Sequence, residues 1–191
     1  MFDAVHQMWG VDRTLYAGSY VDASPSTAIR SVDYVDLDRR AERYFADADA
    51  VRAELHAHDP HREDAVFRFH RADYREPLDI PDASVDLLIS LYAGPASDHC
   101  RRYLRPGGLL LANTSHGDAS LAALDPAFDL VGVITHRDGR YGLRTTDLAK
   151  DLVPASRVGV DADVIRASGR GVRYTRTAFA YVFRIAVPAG Q

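Results

Sequence analysis

One cysteine, Cys100, stands alone in the chain, so no intrachain disulfide staples the fold. Long apolar runs are missing too: none reaches the roughly 18 residues that a membrane helix needs. The opening MFDAVHQMWG has neither the basic stretch nor the apolar run of a secretory leader. Together these absences predict a cytoplasmic protein. No basic block is present either. The 27 acidic and 23 basic residues are mixed along the chain and leave a net charge of −4. That balance disfavours a phosphate backbone as partner and directs attention to a small molecule. No Gly/Ser/Pro tract, repeat or low-complexity segment interrupts the sequence. With 47% hydrophobic residues, the 191 positions are enough for one core and predict a single domain over 1–191.

What is present is an alternation of short apolar strands with helical patterns. RTLYAGS has an apolar centre that stops at Gly18, and SVDYVDLD is a second strand that ends in aspartates. The connection between them is thin for a crossover helix. After Asp38 the period changes, and Ala41, Tyr44, Phe45, Ala48, Val51 and Leu55 share one helical face, with Asp38 placed as its cap. AVFRFHRADY, SVDLLISLYAG and GGLLLANTS read as the third to fifth strands, and ASDHCRRYL as a short helix closed by RPGG. FDLVGVITH and YGLRTT flank the turn RDGR, and RTAFAYVFRIA is a closing strand. Strands alternating with helices predict a doubly wound α/β fold, parallel through five strands and antiparallel at 176–187.

The stretch REPLDIPDASVDLLISLYAGPASDHCRRYLRPGGLLLANTS resembles the second half of a class I S-adenosylmethionine (SAM)-dependent methyltransferase. In that family an apolar strand leads through a helix to an R-x-L-x-P-G-G turn and a further strand. YVDLDRR, FHRADY and TAFAYVFRIA resemble its second, third and last strand ends. The resemblance implies a Rossmann-like sheet and SAM as cofactor. It places Asp36 on the ribose hydroxyls, Asp73 on the adenine amino group with the Tyr74 N–H at the ring edge, and Ser90 and Leu91 beneath the sulfonium. Tyr92 would stand at the acceptor's entrance, and a small-molecule acceptor is expected. For Asp36 and Asp73 the alternative is an ordinary turn carboxylate. A non-catalytic relative that binds a metabolite or another chain is the rival to an enzyme.

The family's first turn is close to G-x-G-x-G, whereas YAGSYVDASPS keeps only Gly18 and puts Tyr20 and Val21 where the backbone should be bare. Ser19, Ser24 and Ser26 offer hydroxyls in exchange, with Ser24 as cap and Pro25 at the first position of a short helix. Retained cofactor binding and a relic turn are both compatible with this. A Rossmann dehydrogenase is not supported, since the G-x-G-x-x-G fingerprint is missing. For catalysis, NTSHGD gathers Asn113, which is expected at the substrate, and His116, which is expected as the base because imidazoles exchange protons near neutral pH. The same residues would also serve as a helix start capped by Asp118 or Ser120. No metal site is expected: His56, His58 and His61 read as a solvated helix end. Cys100 reads as a small buried hydrophobe. Met8 and Trp9 could cover the cleft or close the bottom of the core.

Overall fold

Leu15 and Tyr16 are consecutive, both buried, and belong to two different clusters of core residues. A strand sends successive side chains to opposite faces, so this strand is covered on both. The computed structural model describes residues 1–59, 65–156 and 160–187. Its single sheet has eight strands: β1 (Arg13–Ala17), β2 (Ser31–Val35), β3 (Val66–His70), β4 (Val85–Ser90), β5 (Leu104–Ala112), β6 (Phe128–Arg137), β7 (Arg140–Arg144) and β8 (Ala180–Ile185). They lie in the order β3-β2-β1-β4-β5-β8-β6-β7. The first five run parallel, and β8 is inserted antiparallel between β5 and β6. The reading of 176–187 as an antiparallel strand holds in its centre, 180–185.

One face is covered by α1 (Phe2–Trp9), α2 (Arg39–Ala46) and α3 (Ala48–His58), the other by α4 (Ala96–Cys100), α5 (Asp118–Leu124) and α6 (Ala162–Ser168). The expected long helix after Asp38 is two helices. Asp38 caps the first through the Arg40 N–H, and Asp47 breaks the chain and caps the second through the Ala50 N–H. Phe45 stacks on Tyr34 and Phe69 at centroid distances of 4.6 and 5.0 Å, which fixes α2 on the sheet as expected. RPGG does not close a helix as predicted but opens β5, where the register with β4 shifts and Gly107 takes φ +75°. Asp138 and Gly139, both at positive φ, make the tight β6–β7 hairpin expected at RDGR. Cys100 is buried, and burial pushes its thiol up to about 12, in keeping with a packing role. Trp9 lies against Gly132 and beside Asp86 and Arg105 at the strand starts, so it closes the bottom of the sheet.

Because β1 lies between β2 and β4, the chain leaves it in opposite directions for the two halves of the sheet. The carboxyl edge at that reversal is where open α/β sheets hold ligands.

Candidate functional site

The turn after β1 is held to β2 by the Gly18 and Ser19 N–H groups, which both donate to the Val35 carbonyl, at 2.9 and 3.3 Å. Tyr20 has φ +47°, so a tyrosine keeps the backbone conformation that a glycine would adopt. Its N–H donates to Asp36 Oδ2 at 2.7 Å, and the Asp38 N–H donates to Oδ1 at 2.8 Å. Asp36 is half-buried and has thus tied the turn to the end of β2. Between β1 and β2 there is a single 3₁₀ turn, Ser24–Thr27, preceded by Ala23. Ser24 is its first residue and Pro25 its second, which corrects the expectation of Ser24 as cap. The Ser24 N–H and hydroxyl donate to Asp22 instead. Relieving the positive φ by Tyr20→Gly should stabilise the protein by about 0.5–1 kcal/mol, the left-handed cost less the added chain entropy. Denaturant unfolding would check this, and a loss of stability would mean that the Arg40 contact to the Tyr20 hydroxyl outweighs the strain.

Asp73 and Tyr74 follow β3. Asp73 is clamped by Arg75, whose backbone N–H, Nε and Nη2 all donate to it, and these bonds hold its carboxyl at about 2. The Tyr74 hydroxyl accepts the Gly94 N–H at 3.1 Å. Beyond β4, Ser90 and Leu91 are buried, while Tyr92 is 61% exposed at φ +59°. The 92–95 turn leans against the first turn: a Cβ built on Gly18 would lie 2.7 Å from the Cβ of Ala93. Gly18 therefore serves a close approach as well as a positive φ. Ser19 Oγ is buried beside this contact without a hydrogen-bond partner among the described residues.

An open cleft of about 700 Å³ lies further along the same edge, lined among others by Tyr92, Asn113, Ser115, His136, Arg137 and Phe179. Asn113 joins the two regions, since its Oδ1 accepts the Tyr92 and Ser115 N–H groups at 3.4 and 3.2 Å. His116 is exposed and does not line the cleft, so the expected base is not brought to it. The reason is local. The Gly117 N–H donates to the Thr114 carbonyl, and Gly117, at φ +97°, lies against Ile165 of α6, so the loop turns there with Thr114 and Ser115 on the cleft wall and His116 outside it. Asp118 opens α5 with Gly117 as its cap.

His136 and Arg137 are the residues that sequence reading missed. They extend β6 past the core, and since β6 runs in the same direction as β5, its end falls on the same edge. The exposed run Thr135–His136–Arg137 before a hairpin was a signal only for a reader who already knew the strand order. Among the described residues no group of three His, Cys, Asp or Glu could hold a metal ion. His56 and His58 end α3, and His61 lies outside the described residues. No helix among the described residues is long and apolar enough to cross a membrane.

No protein-family model matches the chain, and no curated protein does. Solved structures are similar to it. A SAM-dependent O-methyltransferase from Thermotoga maritima is 15% identical, with a TM-score of 0.52, over 100% of this chain and 66% of its own. A methyltransferase from Geobacter sulfurreducens is 14% identical, with a TM-score of 0.50, over 74% of each chain. The cyclase SpnF is 21% identical over 58% of this chain and 42% of its own, with a TM-score of 0.42. This chain thus spans less than half of the cyclase's length and about two thirds of the O-methyltransferase's. With its parallel strands, its inserted antiparallel β8 and its helices on both faces, the chain has the fold of the class I SAM-dependent methyltransferases.

Proposed function

We propose that the protein is a SAM-dependent methyltransferase acting on a small-molecule acceptor. The observation that carries this reading is the first turn: it keeps a positive φ at Tyr20 and is tied to Asp36 at the reversal of strand order. Each Asp36 oxygen accepts one backbone N–H and retains a lone pair for a ribose hydroxyl. The buried Ser19 hydroxyl supplies an unused donor beside it. Asp36, Asp73 and the Tyr74 N–H would hold the adenosine half, and Ser19, Ser90 and the 90–92 backbone the methionine half. The methionine half requires the 92–95 turn to withdraw from Gly18. When bound, the cofactor supplies an electrophilic methyl group. The chain's own part is to align an acceptor in the adjoining cleft and to exclude water.

Calorimetric titration with S-adenosylhomocysteine tests this. Binding is expected, and Asp36→Ala should weaken it by about 1–3 kcal/mol, the worth of hydrogen bonds to a charged group. Equal affinity in parent and variant would remove Asp36 from the site. The contact between Gly18 and Ala93 favours a second reading, a non-catalytic member of the fold that binds a metabolite or a protein. Complete absence of binding by SAM and S-adenosylhomocysteine would select it.

A further inference from the structure

Three rings line the open cleft, those of Tyr92, His136 and Phe179, and a fourth, Tyr141, packs behind them. Phe179 is the hub, with its ring edge-on to Tyr92, His136 and Tyr141 at centroid distances of 6.4, 5.8 and 5.1 Å. His136 is stacked on Tyr141 at 4.4 Å. A surface built of ring faces and edges suits a flat π-system better than an aliphatic chain, because edge-to-face contacts add to area burial.

The charge pattern is equally one-sided. Among the described residues no carboxylate lines the cleft, although the chain carries a net charge of −4, and Arg137 is the charged group on its wall. Arg137 makes no ion pair among the described residues, whereas Arg75, Arg101, Arg105, Arg144 and Arg166 each hold an aspartate. A planar guanidinium with a free fork matches a carboxylate in two parallel hydrogen bonds. One such group matches a single negative charge. Around it, Thr114, Ser115 and Thr177 bring hydroxyls, and Asn113, 5% exposed, spends its oxygen on the chain and keeps its amide N–H₂ for the cleft. The volume, about 700 Å³, is that of a small-molecule site.

We propose that this cleft binds a hydroxylated aromatic carboxylate, with its carboxylate on Arg137, its ring against Phe179 and Tyr92, and its hydroxyl toward Asn113 and the neighbouring hydroxyls. That this ligand is the methyl acceptor rests on the function proposed above. The binding itself rests on the cleft alone.

Calorimetric titration of the full chain with 4-hydroxybenzoate should give saturable binding. The neutral 4-hydroxybenzamide and the non-aromatic 4-hydroxycyclohexanecarboxylate should each bind about tenfold or more weakly, since a charge-assisted pair or the ring contacts are lost. Arg137 is exposed, so Arg137→Gln leaves the core intact. In that variant the difference between the acid and the amide should disappear, and Phe179→Leu should weaken both. Lack of saturable binding by the acid, or an Arg137→Gln variant that keeps the parent's acid-to-amide ratio, overturns the proposal. The three-ligand comparison in the parent needs no variant and decides even if one misfolds. Titration with S-adenosylhomocysteine in parallel separates the two claims. The acid without the nucleoside keeps this site and removes the function proposed above. The nucleoside without the acid does the reverse.

Discussion

Replacing Asp118 by alanine should lower the unfolding free energy by about 3 kcal/mol, because two or more buried donors lose their acceptor at once. Asp118 is 1% exposed. It accepts the Ser97 N–H at 3.1 Å and the Ser97 hydroxyl. These bonds join the start of α4 to the start of α5, and so hold the helix that follows the 92–95 turn. Burial pushes the carboxyl above its ordinary 3.8, and the serine bonds oppose this without cancelling it. The sign of the pH dependence follows. A group raised in the folded state contributes stability that is fully present below its unfolded pKa and is lost as pH rises through the folded one. Asp118→Asn keeps an acceptor for Ser97 and carries no charge. Its stability relative to the parent should therefore rise with pH above about 4, the unfolded value for an aspartate. Denaturant unfolding of the three proteins across the acid range measures both effects. Parallel curves for the parent and Asp118→Asn would remove the buried charge from the account.

The strands and the helix after Asp38 were legible because periodicity is a local signal. Val32 and Tyr34 alternate with polar neighbours before Val35 closes the strand, and Ala41 and Phe45 recur at helical spacing wherever the sheet ends up. The break at Asp47 was hidden for the same reason: Val51 and Leu55 keep the helical phase of Ala41 and Phe45, so the apolar pattern runs through a backbone that does not. α6 was missed because only Ile165 of its seven residues is buried, which leaves almost no apolar stripe to detect. The cofactor edge was half legible. Asp36 could be placed at a strand end, but its bond to the Tyr20 N–H depends on a tyrosine adopting positive φ, which propensity argues against. The cleft was not legible, since it exists only where β8 inserts beside β6 and brings Phe179 against His136. His116 drew attention as a histidine after a strand. Its place outside the cleft wall goes with long-range packing, such as that of the neighbouring Gly117 on Ile165, which no local pattern reveals.

Gly18→Ala should cost about 2–5 kcal/mol, from two separable causes. At φ +67° an L side chain meets its own backbone, roughly 1–2 kcal/mol. The new methyl would also stand 2.7 Å from the Cβ of Ala93, an overpacking worth about 1–3 kcal/mol. The second part has a specific remedy. Ala93→Gly removes the atom in collision, so the double variant should recover the overpacking share and retain the backbone share, and unfolding of all four proteins gives the coupling directly. Strict additivity would mean that Ala93 does not lie against Gly18. The same pair bears on the function proposed above, because a methionine half seated between the first turn and the 92–95 turn would have to displace this contact. Ala93→Gly alone should therefore bind S-adenosylhomocysteine more tightly than the parent, by a factor of a few, as the methyl that packs on Gly18 no longer has to be displaced. In the non-catalytic reading the contact is simply core, Ala93→Gly only loosens it, and the nucleoside binds neither protein.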